Sequence, residues 1–158
     1  PFQRENLLFI HNGKIDKIRQ TLYRPIRSQL SDEIYQWVNG TTDSEHIFAL
    51  LLNELESNPG KSLEQAMHLT FLKLKDLVER HKTNTLANLV VSDGNRLVAS
   101  RFSTEPPSAS LYWLQNDATF PNSVIIASEP LFKGNWNSFP ENSILSVGED
   151  CEIRIEQI

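Results

Sequence analysis

The sequence predicts an α+β fold built on antiparallel sheet, and three observations predict it. Two consecutive segments in the first half carry apolar residues at helical spacing, each opened by a capping signal. From Ala87 onward the texture changes to short apolar runs separated by turn residues. No strand–helix–strand alternation appears, so a parallel α/β sheet is excluded.

The elements follow in order. Leu7-Leu8-Phe9-Ile10 is a short apolar run that stops at His11-Asn12-Gly13, which predicts a buried strand ending in a tight turn. A short helix can begin at Asp16 and run to about Gln20, followed by a looser stretch interrupted by Pro25. Thr42-Asp43-Ser44-Glu45 has the capping-box pattern, and Ile47, Leu50, Leu51 and Leu55 recur behind it at helical spacing. That helix should stop near Asn58-Pro59-Gly60. Ser62 and Gln65 make a second capping box, ahead of the stripe Leu63, Met67, Phe71, Leu74 and Val78. Two helices joined by a Pro-Gly turn predict an antiparallel pair. Leu89–Ser92 and Arg96–Ala99 flank Asp93-Gly94-Asn95, a hairpin signal. Further strands are expected at Leu111–Leu114, Val124–Ala127, Ser143–Val147 and Glu152–Ile158. Several of these are apolar on both sides, which suits sheets buried between layers. One helical pair covers a single face, so the chain reads as most of a domain rather than all of it.

Composition narrows the class. With 39% apolar and 22% charged residues, the chain is ordinary globular protein rather than a disordered segment. A net charge of -5 and the lack of a Lys/Arg block argue against a nucleic-acid partner. The longest apolar run, Ile47 to Leu52, is far short of the roughly 20 residues a membrane span needs. The single cysteine, Cys151, allows no internal disulfide, so a reducing, cytoplasmic setting is expected. It lies ahead of the alternating Ile153 and Ile155, which predicts a core or sheet residue. The sequence opens Pro1-Phe2-Gln3, neither a signal peptide nor an initiator methionine, and a segment upstream is expected.

Few residues offer chemistry. His11-Asn12-Gly13 can present a carboxamide and a glycine N–H to one point, as an oxyanion hole requires. Asn-Gly is equally a common turn dipeptide. Asp43 sits in the first turn of a helix, where a carboxylate can stabilise the helix or bind a ligand's ammonium group. The histidines His11, His46, His68 and His81 show no metal-binding spacing. No Gly-x-Ser-x-Gly elbow is present. Ser128-Glu129 reads as pocket lining or as a strand-ending turn. Trp113 and Trp136 read as a pocket floor or as core.

Taken together, Phe9-Ile10-His11-Asn12-Gly13-Lys14-Ile15 and, about thirty residues on, Gly40-Thr41-Thr42-Asp43-Ser44-Glu45 before an apolar helix resemble the glutaminase domain of class-II glutamine amidotransferases. Pro1-Phe2 is similar to the end of that family's Asn-x-His-Pro-Phe stretch. Ile126-Ala127-Ser128-Glu129-Pro130-Leu131, with Trp136, Phe139-Pro140 and Ser143, resembles the branch of ergothioneine-biosynthesis amidohydrolases. The resemblance implies an N-terminal-nucleophile hydrolase fold, two antiparallel sheets between helical layers in an αββα sandwich. Residues 1–158 would be the C-terminal part of a single amidotransferase domain lacking its N-terminal strands.

It also implies a chemistry. An N-terminal cysteine thiolate attacks the γ-carbonyl of glutamine or a γ-glutamyl compound, with its own α-amine as base, through a glutamyl thioester. Asn12 and Gly13 would hold the oxyanion. Asp43 would pair with the substrate's α-ammonium, and His11 and Thr42 would bind substrate beside it. No metal or organic cofactor is implied. The partners expected are a small-molecule substrate, the missing N-terminal segment of the same domain, and through the incomplete sheet a second copy of the chain. The nucleophile is not in the chain, and Cys151 is no substitute. A non-catalytic descendant that binds a γ-glutamyl metabolite or scaffolds a partner is the alternative. The amide of Asn12 and the acid of Asp43 should then flank one cavity.

Overall fold

A computed structural model describes residues 1–158. The chain opens with a hairpin, β1 (Phe2–Arg4) and β2 (Leu7–Ile15). Three short helices follow, α1 (Ile18–Thr21), α2 (Tyr23–Arg27) and α3 (Asp32–Trp37). The long pair is α4 (Asp43–Ser57) and α5 (Leu63–His81). The strands β3 (Thr85–Ser92), β4 (Leu97–Arg101), β5 (Tyr112–Gln115), β6 (Val124–Ala127), β7 (Asn137–Ser138), β8 (Ser143–Val147) and β9 (Ile153–Gln157) complete the chain.

Two antiparallel sheets result, a six-stranded one in the order β1-β2-β3-β4-β8-β9 and a three-stranded one in the order β6-β5-β7. The helices lie against one face of the large sheet, and a 25-residue apolar core fills the space between. Phe9 of β2 stacks on Phe48 of α4 with ring centroids 4.7 Å apart. Every residue of the expected α5 stripe, from Leu63 to Val78, is buried there. The small sheet covers the other face of the large one over β4, β8, β9 and part of β3, and touches β2 at Asn12. A second core of Ala99, Leu111, Phe139, Leu145 and Val147 forms under it. On β2 the same face is left open, with Leu8 and Ile10 about half exposed at 49% and 54%. Three layers of the expected four-layer sandwich are therefore present. No helical residue belongs to the second core, and the outer helical layer is not among this chain's elements.

The helix signals hold. Thr42 caps α4 by accepting the Glu45 N–H, and Ser62 and Gln65 form a complete capping box on α5. The hairpin at Asp93-Gly94-Asn95 joins β3 to β4, with Asp93 Oδ1 accepting the N–H groups of Asn95 and Arg96.

Two expectations are corrected. His11-Asn12-Gly13 is not a turn. β2 continues to Ile15 because Leu8 through Ile15 pairs residue for residue with Ser92 through Thr85, and that ladder outweighs the local turn preference. Cys151 is not a core or strand residue. It sits at φ 61° in the turn before β9, held by its backbone N–H on the Gly148 carbonyl.

Candidate active site

The site grows from the C-terminal half of β2. Side chains alternate along a strand. Phe9, His11 and Ile15 therefore face the helices, and Leu8, Ile10, Asn12 and Lys14 face the other way. The backbone alternates too. Ala87, opposite Gly13, gives its N–H to Phe102, so the Gly13–Ala87 pair is of the non-hydrogen-bonded kind. The N–H of Gly13 accordingly points off the free edge of β2, past the end of the β1 ladder at Phe9. Two residues on, the Ile15 N–H points the same way, and Asp43 Oδ2 accepts it at 3.0 Å. Gly13 and Asp43 thus share one edge, the Gly13 and Ile15 N–H groups standing about 7 Å apart at the strand's rise per residue.

Asp43 is fixed as well as placed. It stands in the first turn of α4, where the helix dipole favours its charge. Oδ1 accepts the Ser44 N–H at 2.7 Å. About four lone-pair sites are available to a carboxylate, so room for a further donor remains on a side chain that is 21% exposed.

His11 sits behind this carboxylate, and Thr42 precedes it as the N-cap of α4. The His11 side chain has no exposed surface. Nε2 lies 3.2 Å from the Leu86 carbonyl, which can only accept, so Nε2 carries the proton. Nδ1 then accepts the Ser44 hydroxyl at 2.9 Å. Burial lowers the His11 pKa below its ordinary 6.5, against the opposing pull of the Leu86 carbonyl and the Asp43 charge. With both nitrogens committed, His11 does not present itself to a ligand. The ring stands against Asp43 instead, Nδ1 lying 3.9 Å from Oδ1. Thr42 is exposed; its hydroxyl oxygen accepts the Glu45 N–H and its carbonyl accepts His46 Nδ1, and the hydroxyl proton stays free.

Gly13 is required by this packing. A Cβ at position 13 would overlap the Leu86 carbonyl and stand 2.7 Å from His11 Nε2. A side chain there would push the histidine off the strand.

Behind α4 lies a second polar layer that the sequence did not reveal. Arg27 Nε donates to His46 Nε2 at 3.0 Å, and its other N–H groups reach the Tyr23 hydroxyl and the Gly40 carbonyl. Glu45 Oε1 accepts the N–H groups of Asn39 and Gly40. The loop that carries Thr42 and Asp43 is thereby tied on both sides. Burial first, and the nearby Arg27 charge, lower the His46 pKa against the Thr42 carbonyl that raises it.

On the opposite face, the Asn12 carboxamide donates to Ser128 Oγ at 3.2 Å. Ser128 follows β6, so the small sheet reaches the site here. Ser128-Glu129 is a strand-ending bend after β6, as one of its two readings has it, and the Ser128 hydroxyl also meets the Asn12 carboxamide. Trp113 packs at the second core, and Trp136 lies against Phe132 and its carbonyl. Cys151 is remote. It precedes β9, four strands across the sheet from β2, or about 19 Å at the usual strand spacing.

Two stacked antiparallel sheets, with helices against the larger one, define a fold of the N-terminal-nucleophile hydrolase type. The family model described as class-II glutamine amidotransferases matches residues 1–120, and the chain belongs to that family. It is 30% identical over 183 residues to the protein named Probable glutamine amidotransferase DUG3 of Saccharomyces cerevisiae, covering 93% of this chain and 51% of the yeast protein. The chain thus spans about half the length of that curated relative. Among solved structures, a glutamine aminotransferase class-II domain protein from Silicibacter pomeroyi superposes with a TM-score of 0.83 at 27% identity, over 99% of this chain and 70% of that one. Glutamine phosphoribosylpyrophosphate amidotransferase of Bacillus subtilis shares the fold, with a TM-score of 0.62 at 14% identity, over 99% of this chain and 30% of its own.

Proposed function

We propose that this chain supplies the oxyanion hole and substrate-ammonium site of an amidohydrolase acting on the γ-amide of glutamine or a γ-glutamyl compound. The observation that carries the reading is the free Gly13 N–H on the β2 edge, between the Asn12 carboxamide and the anchored Asp43 carboxylate. Two neutral donors beside a fixed anion suit a substrate with a reacting carbonyl at one end and an α-ammonium group at the other.

The chemistry follows from those groups. A cysteine thiolate attacks the γ-carbonyl carbon, and its C–S bond forms as the carbonyl π electrons move to oxygen. Asn12 Nδ2 and the Gly13 N–H stabilise that oxyanion. On collapse the C–N bond breaks, the nitrogen takes a proton from the nucleophile's own ammonium group, and ammonia leaves a glutamyl thioester. Water then releases glutamate and regenerates the thiolate. Asp43 holds the glutamyl α-ammonium throughout. His11 and Thr42 act through Asp43, by fixing the strand and the helix end between which it sits. No metal or organic cofactor takes part in this scheme.

Cys151 is too distant to be the nucleophile. The reading therefore assigns it to a cysteine in residues preceding Pro1, whose strands would also cover Leu8 and Ile10. The same open face could otherwise be closed by a second copy of the chain. The test treats the full-length gene product with a γ-diazoketone analogue of glutamine and measures intact mass alongside glutamate release from glutamine and γ-glutamyl amides. One adduct on a thiol upstream of Pro1, together with glutamate release, is the expected result. Tight binding of γ-glutamyl compounds without adduct or turnover would replace the enzyme reading with a binding one.

A further inference from the structure

Asn88 of β3 stands directly across from Asn12 in the ladder and on the same sheet face. Because the neighbouring Gly13–Ala87 pair is non-hydrogen-bonded, Asn12 and Asn88 form a hydrogen-bonded pair, with Cα atoms about 5.5 Å apart. Two carboxamides can meet across that gap.

Asn88 is 4% exposed, and its orientation is unambiguous. Nδ2 lies 3.2 Å from the Ala109 carbonyl and 3.0 Å from the Ser110 carbonyl. Two carbonyl oxygens can be met only by the nitrogen end, so both N–H groups are spent. Oδ1 is buried and has no partner within the protein. A buried acceptor left in that state is costly and calls for an explanation.

The neighbours narrow the explanation. On the β4 side the register places Arg101 next to Asn88. Its guanidinium is committed to the carbonyls of Ser108, Ala109 and Phe139 and faces Glu141. On the β2 side, Asn12 Nδ2 has two hydrogens and gives one to Ser128 Oγ. The other is the uncommitted donor beside Asn88. The far side of the network is closed as well. Ser110 Oγ donates to the Ser128 carbonyl, so the residues that hold Asn88 also hold the residue that touches Asn12.

We propose that Asn88 is a positioning residue, whose fixed Oδ1, unpartnered in this structure, takes up one N–H of Asn12 as substrate binds and so keeps the nitrogen, not the oxygen, of the Asn12 carboxamide toward the oxyanion. The reversed amide would aim its carbonyl at a developing negative charge. In the resting site Ser128 Oγ holds one Asn12 hydrogen, and the substrate's oxyanion takes its place during reaction. The inference rests on the oxyanion role assigned to Asn12.

The test is a double-mutant cycle on the full-length gene product, with Asn88→Leu and Asn12→Ala alone and together. Asn88→Leu should lower kcat about tenfold, the equivalent of one ordinary hydrogen bond, and leave KM within about twofold. In the Asn12→Ala background it should lower kcat no further, because the group it positions is gone. An unchanged kcat in Asn88→Leu, or the same loss in both backgrounds, would overturn the proposal and leave Asn88 as a brace for the 109–110 loop. A loss of activity in Asn12→Ala is required for the parent reading, so an active Asn12→Ala removes that reading instead. The contact itself is read in the unmutated protein with the γ-diazoketone analogue bound, by NMR of the Asn12 side-chain amide. Two resolved protons, one close to the Asn88 side chain, are expected. Freely averaged protons with no proximity to Asn88 would sink the proposal even if the variants do not fold.

Discussion

Replacing Asp43 by alanine removes the carboxylate that ties α4 to the edge of β2. The Ile15 N–H loses its partner at 3.0 Å and the Ser44 N–H its partner at 2.7 Å. Both donors point to a charged acceptor, for which about 1.5–3 kcal/mol each is typical. Water will reach part of this site, since the side chain is 21% exposed, and that discounts the sum. Loss of a negative charge from the first turn of α4 adds about 0.3–1 kcal/mol. The expected cost is therefore about 2–4 kcal/mol of folding stability, or roughly 5–15 °C in Tm for a domain of this size. The Asp43→Asn variant would keep one acceptor oxygen and should lose about half as much. Urea and thermal unfolding at neutral pH measure both. A change below about 0.5 kcal/mol in Asp43→Ala would show that the carboxylate is not what holds the helix end to the strand, and the site as described would lose its frame.

Further outcomes follow from the same contacts. Gly13→Ala should destabilise by about 1–3 kcal/mol through overlap with the Leu86 carbonyl and the His11 ring, seen as a lowered urea midpoint. Amide shifts at His11 and Ser44 should move with it. His11 and His46 both have pKa values lowered from 6.5 by burial, so as pH falls the unfolded chain takes up protons first. Stability should be complete above pH 6.5 and fall below it, by at most about 1.4 kcal/mol per pH unit for each histidine until the folded forms also protonate. Denaturation midpoints across about pH 7.5 to 4.5 test this, and a flat profile through that window would contradict it. Cys151→Ser should leave glutamate release unchanged, since β9 lies four strands from β2. Lost turnover would reopen that cysteine as a nucleophile.

Much of the fold is legible in the sequence where local chemistry and tertiary packing agree. Thr42 and Ser62 announce their helices because a cap is satisfied by the backbone three residues on, whatever surrounds it. Asp93-Gly94-Asn95 announces its hairpin for the same reason. The failures fall where a distant partner decides. Asn12-Gly13 has the composition of a turn, yet the β3 ladder draws it straight, and the strand's alternation then separates His11 from Asn12 onto opposite faces. The short helix α3 is not legible in the pattern, although Ser31 caps it through the Ile34 N–H. Its six residues are too few to show a period. At the site, residue types could be named from motif resemblance, but direction could not. Nothing local says that the His11 ring is enclosed, that Ser128 meets Asn12 from another sheet, or that Asn88 carries an unmatched oxygen. Asn88 had one available signal, a polar residue at the start of the apolar run Leu89-Val90-Val91.

The measurement to make is steady-state hydrolysis of glutamine, or of the γ-glutamyl amide found to be the better substrate, by Asn12→Ala in the full-length gene product. Removing one oxyanion donor should reduce kcat by roughly 100–1,000-fold with KM nearly unchanged, because the bond forms fully only as charge develops on the oxygen. A raised KM with undiminished kcat would contradict the account, since it would make Asn12 a substrate grip and leave Gly13 without its partner in the hole.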